Sequence, residues 1–253
     1  MTVVQAFLLG VVQGLTEFLP VSSDGHLVIS QRLLGLTQPL VAFDVILHSA
    51  TLVAILIYFF KDFFRLTPRL WWYLVMASIP TAIVGLLVEP VIDTLFGSLA
   101  VVTVSLFVNG LFLISTTRLL QRRSVNELKQ LKFSQALAVG LIQPVALLPG
   151  FSRSGSTVTI GLWAGMSKEA AFRFSFLLAV PALIGAQIVQ FNNGNILREL
   201  PLFSVGVGFI AALVTGIIAI KVLDVVIRAA KLHYFGFYCV GLSFLVALWA
   251  IVG

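Results

Sequence analysis

Charged residues and cysteine are both scarce in this sequence. Only 10% of the 253 residues are charged, whereas 59% are hydrophobic. A soluble domain of this length does not need so large an apolar fraction, so the composition predicts a membrane protein made of several helices. The single cysteine, Cys239, excludes a disulfide within the chain and any metal cluster built on cysteine.

Several catalytic signatures are missing as well. The sequence has no H-E-x-x-H pattern of the kind that binds catalytic zinc, no Walker A loop and no glycine-rich dinucleotide fingerprint. The net charge of +6 raises the question of nucleic-acid binding. The basic residues, however, lie in the links between apolar runs, so membrane topology explains the positive charge better than nucleic acid does.

Six apolar runs are each long enough to cross the hydrocarbon core of a bilayer. They cover residues 40–60, 70–88, 94–117, 170–190, 200–220 and 234–252. Thirteen of the sixteen lysine and arginine residues lie in links on one predicted side: Lys61, Arg65, Arg69, Arg118, Arg122, Arg123, Lys129, Lys132, Lys168, Arg173, Lys221, Arg228 and Lys231. The other side holds only Arg32 and Arg198, with Glu89, Asp93 and Glu199. The positive-inside rule therefore places the basic links in the cytoplasm.

Two stretches, 1–39 and 133–167, do not fit single crossings. Both ends of the second stretch are predicted on the cytoplasmic side, and its centre, "PGFSRSGS", contains the Pro, Gly and Ser residues that interrupt a membrane helix. The first stretch is interrupted in the same way at "LPVSSDGH". We therefore predict two re-entrant hairpins, each of which enters and leaves the membrane on one side.

An internal repeat supports this topology. A shift of 130 residues aligns the two hairpins and brings identical residues together: Ala6/Ala136, Gly10/Gly140, Gln13/Gln143, Ser22/Ser152, Gly25/Gly155, Val28/Val158 and Gly35/Gly165. Each hairpin is followed by three crossings, and because three is odd the second repeat is inverted. The predicted fold is an all-α polytopic membrane protein, a single integral membrane domain made of two inverted repeats, about 1–120 and about 133–253. The alternative is a chance match between two segments rich in Gly and Ser.

The two breaks carry most of the polar residues at membrane depth, and inverted-repeat folds place their sites near the midplane where such breaks meet. The first hairpin would supply Gln13, Glu17, Ser22, Ser23, Asp24 and His26, and the second Ser152, Arg153, Ser154, Ser156 and Thr157. The planar guanidinium of Arg153 suits two hydrogen bonds to phosphate oxygens, and helix N-termini after the breaks add N–H donors. A serine hydroxyl is a candidate nucleophile, with His26 or Glu17 as its base.

Structural interpretations stand beside these functional ones. Arg153 and Glu17 form, on this alternative, a buried ion pair that locks the repeats together. Any single serine in a membrane helix commonly bonds back to the backbone or across a helix interface. Asp44 and His48, four residues apart on the next run, are interpreted as an interhelical polar contact rather than as catalytic groups.

The two breaks also resemble the motifs of a known family. "QGLTE", residues 13–17, is similar to the E/Q-x-x-x-E motif of the undecaprenyl-diphosphate phosphatase (bacitracin-resistance) family, and "PGFSRSGST", residues 149–157, is similar to its P-G-x-S-R-S-x-x-T motif. The later segment "FRFSFLLAVPALIGA" is similar too, so the resemblance spans nearly the whole chain. It implies hydrolysis of undecaprenyl (polyprenyl) diphosphate to the monophosphate and phosphate. That reaction recycles the lipid carrier of cell-wall synthesis and confers bacitracin resistance.

The resemblance also implies roles for individual residues. The implied catalytic set is Glu17, Ser23, His26 and Arg153, with Ser23 as the nucleophile. The implied phosphate-binding set is Ser22, Ser152, Arg153, Ser154 and Thr157. A divalent cation, Mg²⁺ or Ca²⁺, is expected, with Glu17 and Gln13 as its candidate ligands. The expected setting is a homodimer among the lipids of the bacterial cytoplasmic (inner) membrane, with an active site that opens to the extracytoplasmic side.

Two residues depart from the family pattern. Gln13 takes a position often held by glutamate, which removes one possible metal ligand. Asp24 stands where a small hydroxyl residue is expected, and its negative charge beside a diphosphate favours a bound cation or a shifted substrate. An alternative function of another class is a transporter or flippase that moves a polyprenyl phosphate or small anion through the same site. A non-catalytic homologue that serves as a binding partner is a third.

Overall fold

A computed structural model of the protein describes residues 1–36, 40–118, 128–192 and 201–252. Within these ranges the α-helices are α1 Val3–Phe18, α2 Ser23–Leu33, α3 Val41–Tyr58, α4 Phe60–Phe63, α5 Pro68–Val88, α6 Ile92–Gly97, α7 Leu99–Ile114, α8 Phe133–Ile142, α9 Arg153–Trp163, α10 Lys168–Asn192, α11 Leu202–Arg228 and α12 His233–Val252. Short 3-10 helices cover Glu89–Val91, Ser115–Arg118, Leu128–Gln130 and Gln143–Leu147. These ranges contain no strand, and the predicted all-α class is confirmed.

Five helical stretches are long and apolar enough to cross a membrane. They are Pro68–Val91, Leu99–Thr117, Lys168–Val189, Leu202–Arg228 and His233–Ile251. Each coincides with a predicted crossing, which confirms the polytopic membrane class. The remaining predicted crossing, 40–60, forms the shorter helix α3. Four residues of the predicted charge pattern lie outside the described residues: Arg122, Arg123, Arg198 and Glu199.

Each interrupted stretch folds into a pair of short helices that pack together, α1 with α2 and α8 with α9. Helices α2 and α9 have 11 residues each. At 1.5 Å per residue such a helix is about 16 Å long, roughly half the thickness of a hydrocarbon core. Neither is long enough to cross a bilayer, as expected for re-entrant hairpins. The inversion of one repeat relative to the other stays a prediction.

The same local contacts occur twice, 130 residues apart. Gln5, near the start of α1, donates a hydrogen bond to the carbonyl of Leu34 beyond the end of α2, at 3.1 Å. Gln135, near the start of α8, donates to the carbonyl of Ala164 beyond the end of α9, at 3.0 Å. Each amide oxygen also accepts the backbone N–H that precedes its helix. The two hairpins are therefore closed by equivalent glutamine bridges.

The breaks of the two hairpins pack against each other. A Cβ atom placed on Gly25 would lie 2.9 Å from the Cα of Gly150, and one placed on Gly155 would lie 3.0 Å from the Cβ of Pro20. Only glycine permits so close an approach at position 25, because the neighbouring atom belongs to the backbone. A shift of 130 residues converts one contact into the other, so each hairpin touches its counterpart in the same way.

Basic links gather at one end of the helix bundle. Arg173 on α10 forms an ion pair with Asp62 on α4. Arg69, at the start of α5, donates a hydrogen bond to the carbonyl of Leu131 at 2.9 Å. These contacts bring together three of the links that the charge pattern assigns to one side of the membrane.

Candidate active site

Two helix N-termini meet at the breaks. Ser22 caps α2 and accepts the N–H of Gly25 at 3.3 Å, and Ser152 caps α9 and accepts the N–H of Gly155 at 3.1 Å. Serine is favoured at such positions because its side chain satisfies an otherwise free N–H group. The hydroxyl oxygen of Ser22 also accepts the N–H of Gly150 at 3.0 Å, which links the two hairpins directly. The positive ends of two helix dipoles thus lie close together, an environment that favours an anion.

The backbone at Ser22 is strained. Its φ is 69° and its ψ is 103°, a left-handed conformation that residues other than glycine rarely adopt. Such a conformation costs on the order of 1–3 kcal/mol and persists only where surrounding contacts hold it. The bonds from Gly25 and Gly150 to its hydroxyl supply such contacts. The turn brings the next residue, Ser23, back towards α1.

Glu17 lies at the centre of the polar cluster, with a side chain that is only 5% exposed. Its Oε2 accepts hydrogen bonds from the hydroxyl of Ser23 at 2.7 Å and from the Nε2 of Gln13 at 3.2 Å. Its Oε1 accepts one from the Nη2 of Arg153 at 2.7 Å. A hydroxyl, a carboxylate and a guanidinium therefore form a continuous row across the contact between the hairpins.

Arg153 uses only part of its hydrogen-bonding capacity. Nη1 is buried and has no hydrogen-bond partner among the described residues. The guanidinium carbon lies 5.9 Å from the centre of the Phe176 ring, within the range of a cation–π contact. A buried donor without a partner costs roughly 1–3 kcal/mol, which a phosphate oxygen at that position would recover. Nη1 is accordingly the donor best suited to hold a phosphate.

The other predicted phosphate-binding hydroxyls have partners within the hairpins. The hydroxyl of Ser154 lies 3.2 Å from that of Ser152 and 3.4 Å from the carbonyl of Leu19. Thr157 donates to the carbonyl of Arg153 at 2.7 Å. These bonds fix the first turn of α9 and thereby the position of Arg153. A direct contact of Ser22, Ser152, Ser154 or Thr157 with phosphate stays a prediction.

His26 contacts Ser22 and Tyr238. Its Nδ1 is 2.7 Å from the carbonyl oxygen of Ser22, and its Nε2 is 2.7 Å from the hydroxyl of Tyr238 on α12, on which the ring stacks. The bond to Ser22 holds the ring against the first turn of its own helix. Among the described residues no hydrogen bond or ion pair joins His26 to Glu17, Ser23 or Arg153, and a catalytic role for His26 stays a prediction.

His48 occupies the place beside Glu17 instead. Its Nε2 lies 3.4 Å from Oε2 of Glu17 and 3.4 Å from Oδ1 of Asp24. Asp44 does form an interhelical contact, because Gln31 on α2 donates to both of its carboxylate oxygens, at 2.8 and 3.0 Å. Interhelical contacts of Asp44 and His48 were expected from the sequence, but Glu17 and Asp24 were not identified as the partners of His48. The available signal was a histidine within an otherwise apolar run.

Asn109 on α7 is a second residue that sequence reasoning missed. Its amide accepts the backbone N–H of Ser152 at 3.2 Å and donates to the carbonyl of Pro20 at 3.1 Å. It is completely buried. One side chain thus ties both breaks to the neighbouring helix, and a lone asparagine in an apolar run was its only sign.

The predicted metal ligands, Glu17 and Gln13, offer few oxygen atoms to a divalent cation. The described part of the chain has no group of three or more His, Cys, Asp or Glu side chains that could hold a metal ion. Both carboxylate oxygens of Glu17 already accept hydrogen bonds, whereas Oε1 of Gln13 is buried and has no partner within the described ranges. Carboxylate and amide oxygens suit Mg²⁺ and Ca²⁺, but two of them are too few. The residues fit a cation that arrives with a diphosphate and do not fit one held by the protein alone.

The site contains a hydroxyl that is hydrogen-bonded to a carboxylate, and an arginine and two helix N-termini lie beside it. This arrangement is suited to nucleophilic attack on phosphorus. In a polytopic helical fold, these features are those of an integral membrane phosphatase. A family model described as "Bacitracin resistance protein BacA" matches residues 6–245. The chain therefore belongs to the BacA family of bacitracin resistance proteins.

Curated relatives named undecaprenyl-diphosphatase are similar along nearly their whole length. The protein of Methanobrevibacter smithii is 39% identical over 94% of this chain and 94% of its own. That of Halothermothrix orenii is 39% identical over 94% of this chain and 95% of its own. That of Moorella thermoacetica is 39% identical over 97% of both chains.

Proposed function

We infer that this chain is an undecaprenyl-diphosphatase, which hydrolyses undecaprenyl diphosphate to the monophosphate and phosphate and so recycles the lipid carrier of cell-wall synthesis. Family membership and the names of the relatives support this reaction, and bacitracin resistance fits the description of the family. In the structure, the observation that carries the inference is the hydrogen-bonded row of Ser23, Glu17 and Arg153.

The geometry supports Ser23 as the nucleophile of the first step. Its hydroxyl donates to Glu17 at 2.7 Å, the relation of a nucleophile to its general base. In this step Ser23 Oγ bonds to the terminal phosphorus, the bond from that phosphorus to the bridging oxygen breaks, and its electrons leave with undecaprenyl phosphate. The hydroxyl proton passes to Glu17. The free Nη1 of Arg153 binds an oxygen of the phosphoryl group in transfer.

The second step frees the enzyme. A water molecule attacks the phosphorus of phosphorylated Ser23, and the bond between phosphorus and Oγ breaks. Glu17 returns its proton to Oγ, and the hydrogen atoms of the water leave with inorganic phosphate. Arg153 neutralises charge in both steps because its other nitrogen, Nη2, keeps it anchored to Glu17.

A divalent cation is part of the proposal. When bound with the substrate, Mg²⁺ or Ca²⁺ would neutralise the diphosphate, and Glu17 and Gln13 are the residues whose oxygens suit it. The expectation of such an ion comes from the family resemblance and from the negative charge of the diphosphate itself. The protein residues perform the bond-breaking steps described above.

The setting of the enzyme completes the proposal. The protein spans the membrane several times, and we place it in the cytoplasmic (inner) membrane, since the basic links gather at one end of the bundle and such links stay in the cytoplasm. The active site would then open to the extracytoplasmic side. Assembly into a homodimer, expected from the family, stays a prediction that the molecular mass of the purified protein in detergent would test.

Phosphate release by the purified protein tests the function. Undecaprenyl diphosphate and farnesyl diphosphate would be offered with EDTA and then with Mg²⁺ or Ca²⁺ added back. We expect release that depends on the metal, and R153A of equal thermal stability should release almost none. Folded wild-type protein that releases no phosphate with either ion would contradict the proposal and favour the transport of a lipid phosphate.

A further inference from the structure

Two carboxylates converge on one ring nitrogen at the candidate active site. Nε2 of His48 lies at ion-pair distance, 3.4 Å, from both Oε2 of Glu17 and Oδ1 of Asp24. The side chain of Glu17 is 5% exposed and that of Asp24 is 21% exposed, so water screens neither fully. Neighbouring carboxylates repel each other strongly where water is scarce, unless a group between them donates to both.

The ring of His48 is fixed in place. Its Nδ1 donates to the carbonyl of Asp44, four residues earlier on α3, at 2.8 Å. The carboxylate of Asp44 is in turn held by Gln31 on α2. Helices α2 and α3 are therefore locked together at the level of this ring. Because Nδ1 donates to the backbone, Nε2 can donate to the carboxylates only when the ring carries both protons, so the cationic ring is the form that meets them.

The surroundings of Glu17 show what His48 does there. Oε2 accepts the hydroxyl of Ser23 at 2.7 Å, and Gln13 and His48 flank the same oxygen at 3.2 and 3.4 Å. Contacts on two other sides leave this oxygen little freedom to turn away from Ser23. Positioning of this kind matters because displacing a reacting group by about 1 Å can cost roughly a hundredfold in rate.

The second repeat shows that this network is not part of the common backbone. At an offset of 130 residues, the positions of Asp24 and His48 hold Ser154 and Leu178, both buried. The hairpin there folds in the same way without a histidine or a second carboxylate. The network is therefore a feature of the side chains around the first hairpin and not of the backbone that both hairpins share.

We propose that His48 is a positioning residue for Glu17 and that Asp24 is its partner, so that the three side chains hold Oε2 in the orientation that accepts the Ser23 proton. This inference rests on the proposed function for its catalytic consequence but not for the pairing itself. It gives Asp24, which departs from the family pattern, a partner within the protein. Without His48, the carboxylate of Asp24 would stand unpaired beside Glu17 and oppose catalysis.

Kinetics of three variants test the positioning role. H48L keeps the volume of the side chain and removes the donor, and we expect kcat to fall about a hundredfold with KM changed by less than about threefold. H48Q retains an amide donor and should lose no more than about tenfold in kcat. S49A, whose hydroxyl donates only to the carbonyl of Val45 on its own helix, is the matched control and should behave as the wild type. H48L with a kcat within about threefold of the wild type, or H48Q as damaged as H48L, would overturn the proposal.

A double-mutant cycle tests the pairing with Asp24. In the H48L background, D24T should recover about tenfold in kcat, because it removes the unpaired carboxylate. Losses that simply multiply would mean that the two residues act independently, which would overturn the pairing. The same cycle measured by thermal unfolding needs no substrate. If the wild type releases no phosphate but the two substitutions are coupled in thermal unfolding, the proposed function is rejected and the pairing of His48 with Asp24 stands. If the wild type is active and the substitutions show no coupling, the pairing is rejected and the proposed function stands.

Discussion

The two hairpins share a backbone and differ in the side chains that follow the break. In each, a serine caps the short second helix and accepts the N–H of the glycine three residues later. The residue after the cap is Ser23 in the first hairpin and Arg153 in the second, and the one after that is Asp24 or Ser154. The first hairpin thus supplies the hydroxyl and the carboxylates, and the second supplies the cation.

This difference separates what the fold contributes from what the side chains contribute. Both hairpins point the N-terminus of a helix at the contact between the breaks, and both N-termini attract an anion. Glu17, however, corresponds to Leu147 at an offset of 130 residues, so only one hairpin carries a candidate base. Two copies of the first hairpin would bring carboxylates together without Arg153 and repel a diphosphate. Chemistry at this interface requires that the repeats differ.

Removing the hydroxyl of the first hairpin should have the largest effect. If Ser23 attacks the phosphorus, S23A should lower kcat by about 10⁴-fold or more, with the protein still folded. S156A is the matched control on the second hairpin, because that hydroxyl donates to the carbonyl of Arg153 within its own helix at 3.0 Å. Phosphate release by both variants decides the point. A loss of only a few-fold in S23A would assign the attack to water or another hydroxyl.

Replacing Arg153, the cation of the second hairpin, should have the next largest effect on activity. R153A takes away the free Nη1 and also leaves Glu17 buried without its partner, so we expect kcat to fall about 10³-fold. R153K keeps the charge but cannot bridge Glu17 and a phosphate, and it should recover less than a tenth of the activity. Phosphate release, with thermal unfolding to verify folding, measures both. Full activity in R153A would mean that Arg153 serves only as the structural partner of Glu17.

Much of the fold was predictable because its signals are local. Helix length follows from apolar runs, and the breaks follow from Pro, Gly and Ser residues at membrane depth. The repeat was visible because its packing needs the same residues twice, as at Gly25 and Gly155. The contact between Glu17 and Arg153 followed from the expectation that the breaks meet, and it is present at 2.7 Å.

The rest of the site depends on how helices rotate about their axes. Hydropathy sets the depth of a helix, whereas packing against its neighbours sets its rotation. His26 was expected beside Glu17 but its ring bonds to Tyr238, and His48 was expected in an interhelical contact whose partners, Glu17 and Asp24, were not identified. In both cases the deciding partner lies far along the chain. The sequence signals a buried histidine without indicating which neighbour it meets.

The contact between the breaks offers a smaller test of their equivalence. G25A would bring a Cβ to 2.9 Å from the backbone of Gly150, which cannot move aside, and should destabilise the protein by about 1–3 kcal/mol. G155A meets the ring of Pro20 at 3.0 Å and should cost less. G185A, in a helix with open space around it, is the control and should cost nothing. Thermal unfolding ranks the stabilities of the three variants. Equal costs for G25A and G155A would show that both breaks accommodate an added Cβ atom equally well.

The glutamine bridges should give the smallest and most similar effects. Q5A and Q135A each remove a hydrogen bond of about 3 Å that closes a hairpin, so each should lower the free energy of unfolding by about 1 kcal/mol. Q135A should lie at the upper end of this range, because Gln135 is buried and Gln5 is only half-buried. Q5E and Q135E keep the acceptor for the preceding N–H but set a charged oxygen against the carbonyl of Leu34 or Ala164, so each should cost more than the alanine variant. Denaturant unfolding of the four variants measures the costs. A cost several times larger in one hairpin would mean that the two glutamine bridges contribute unequally to stability despite their equivalent geometry.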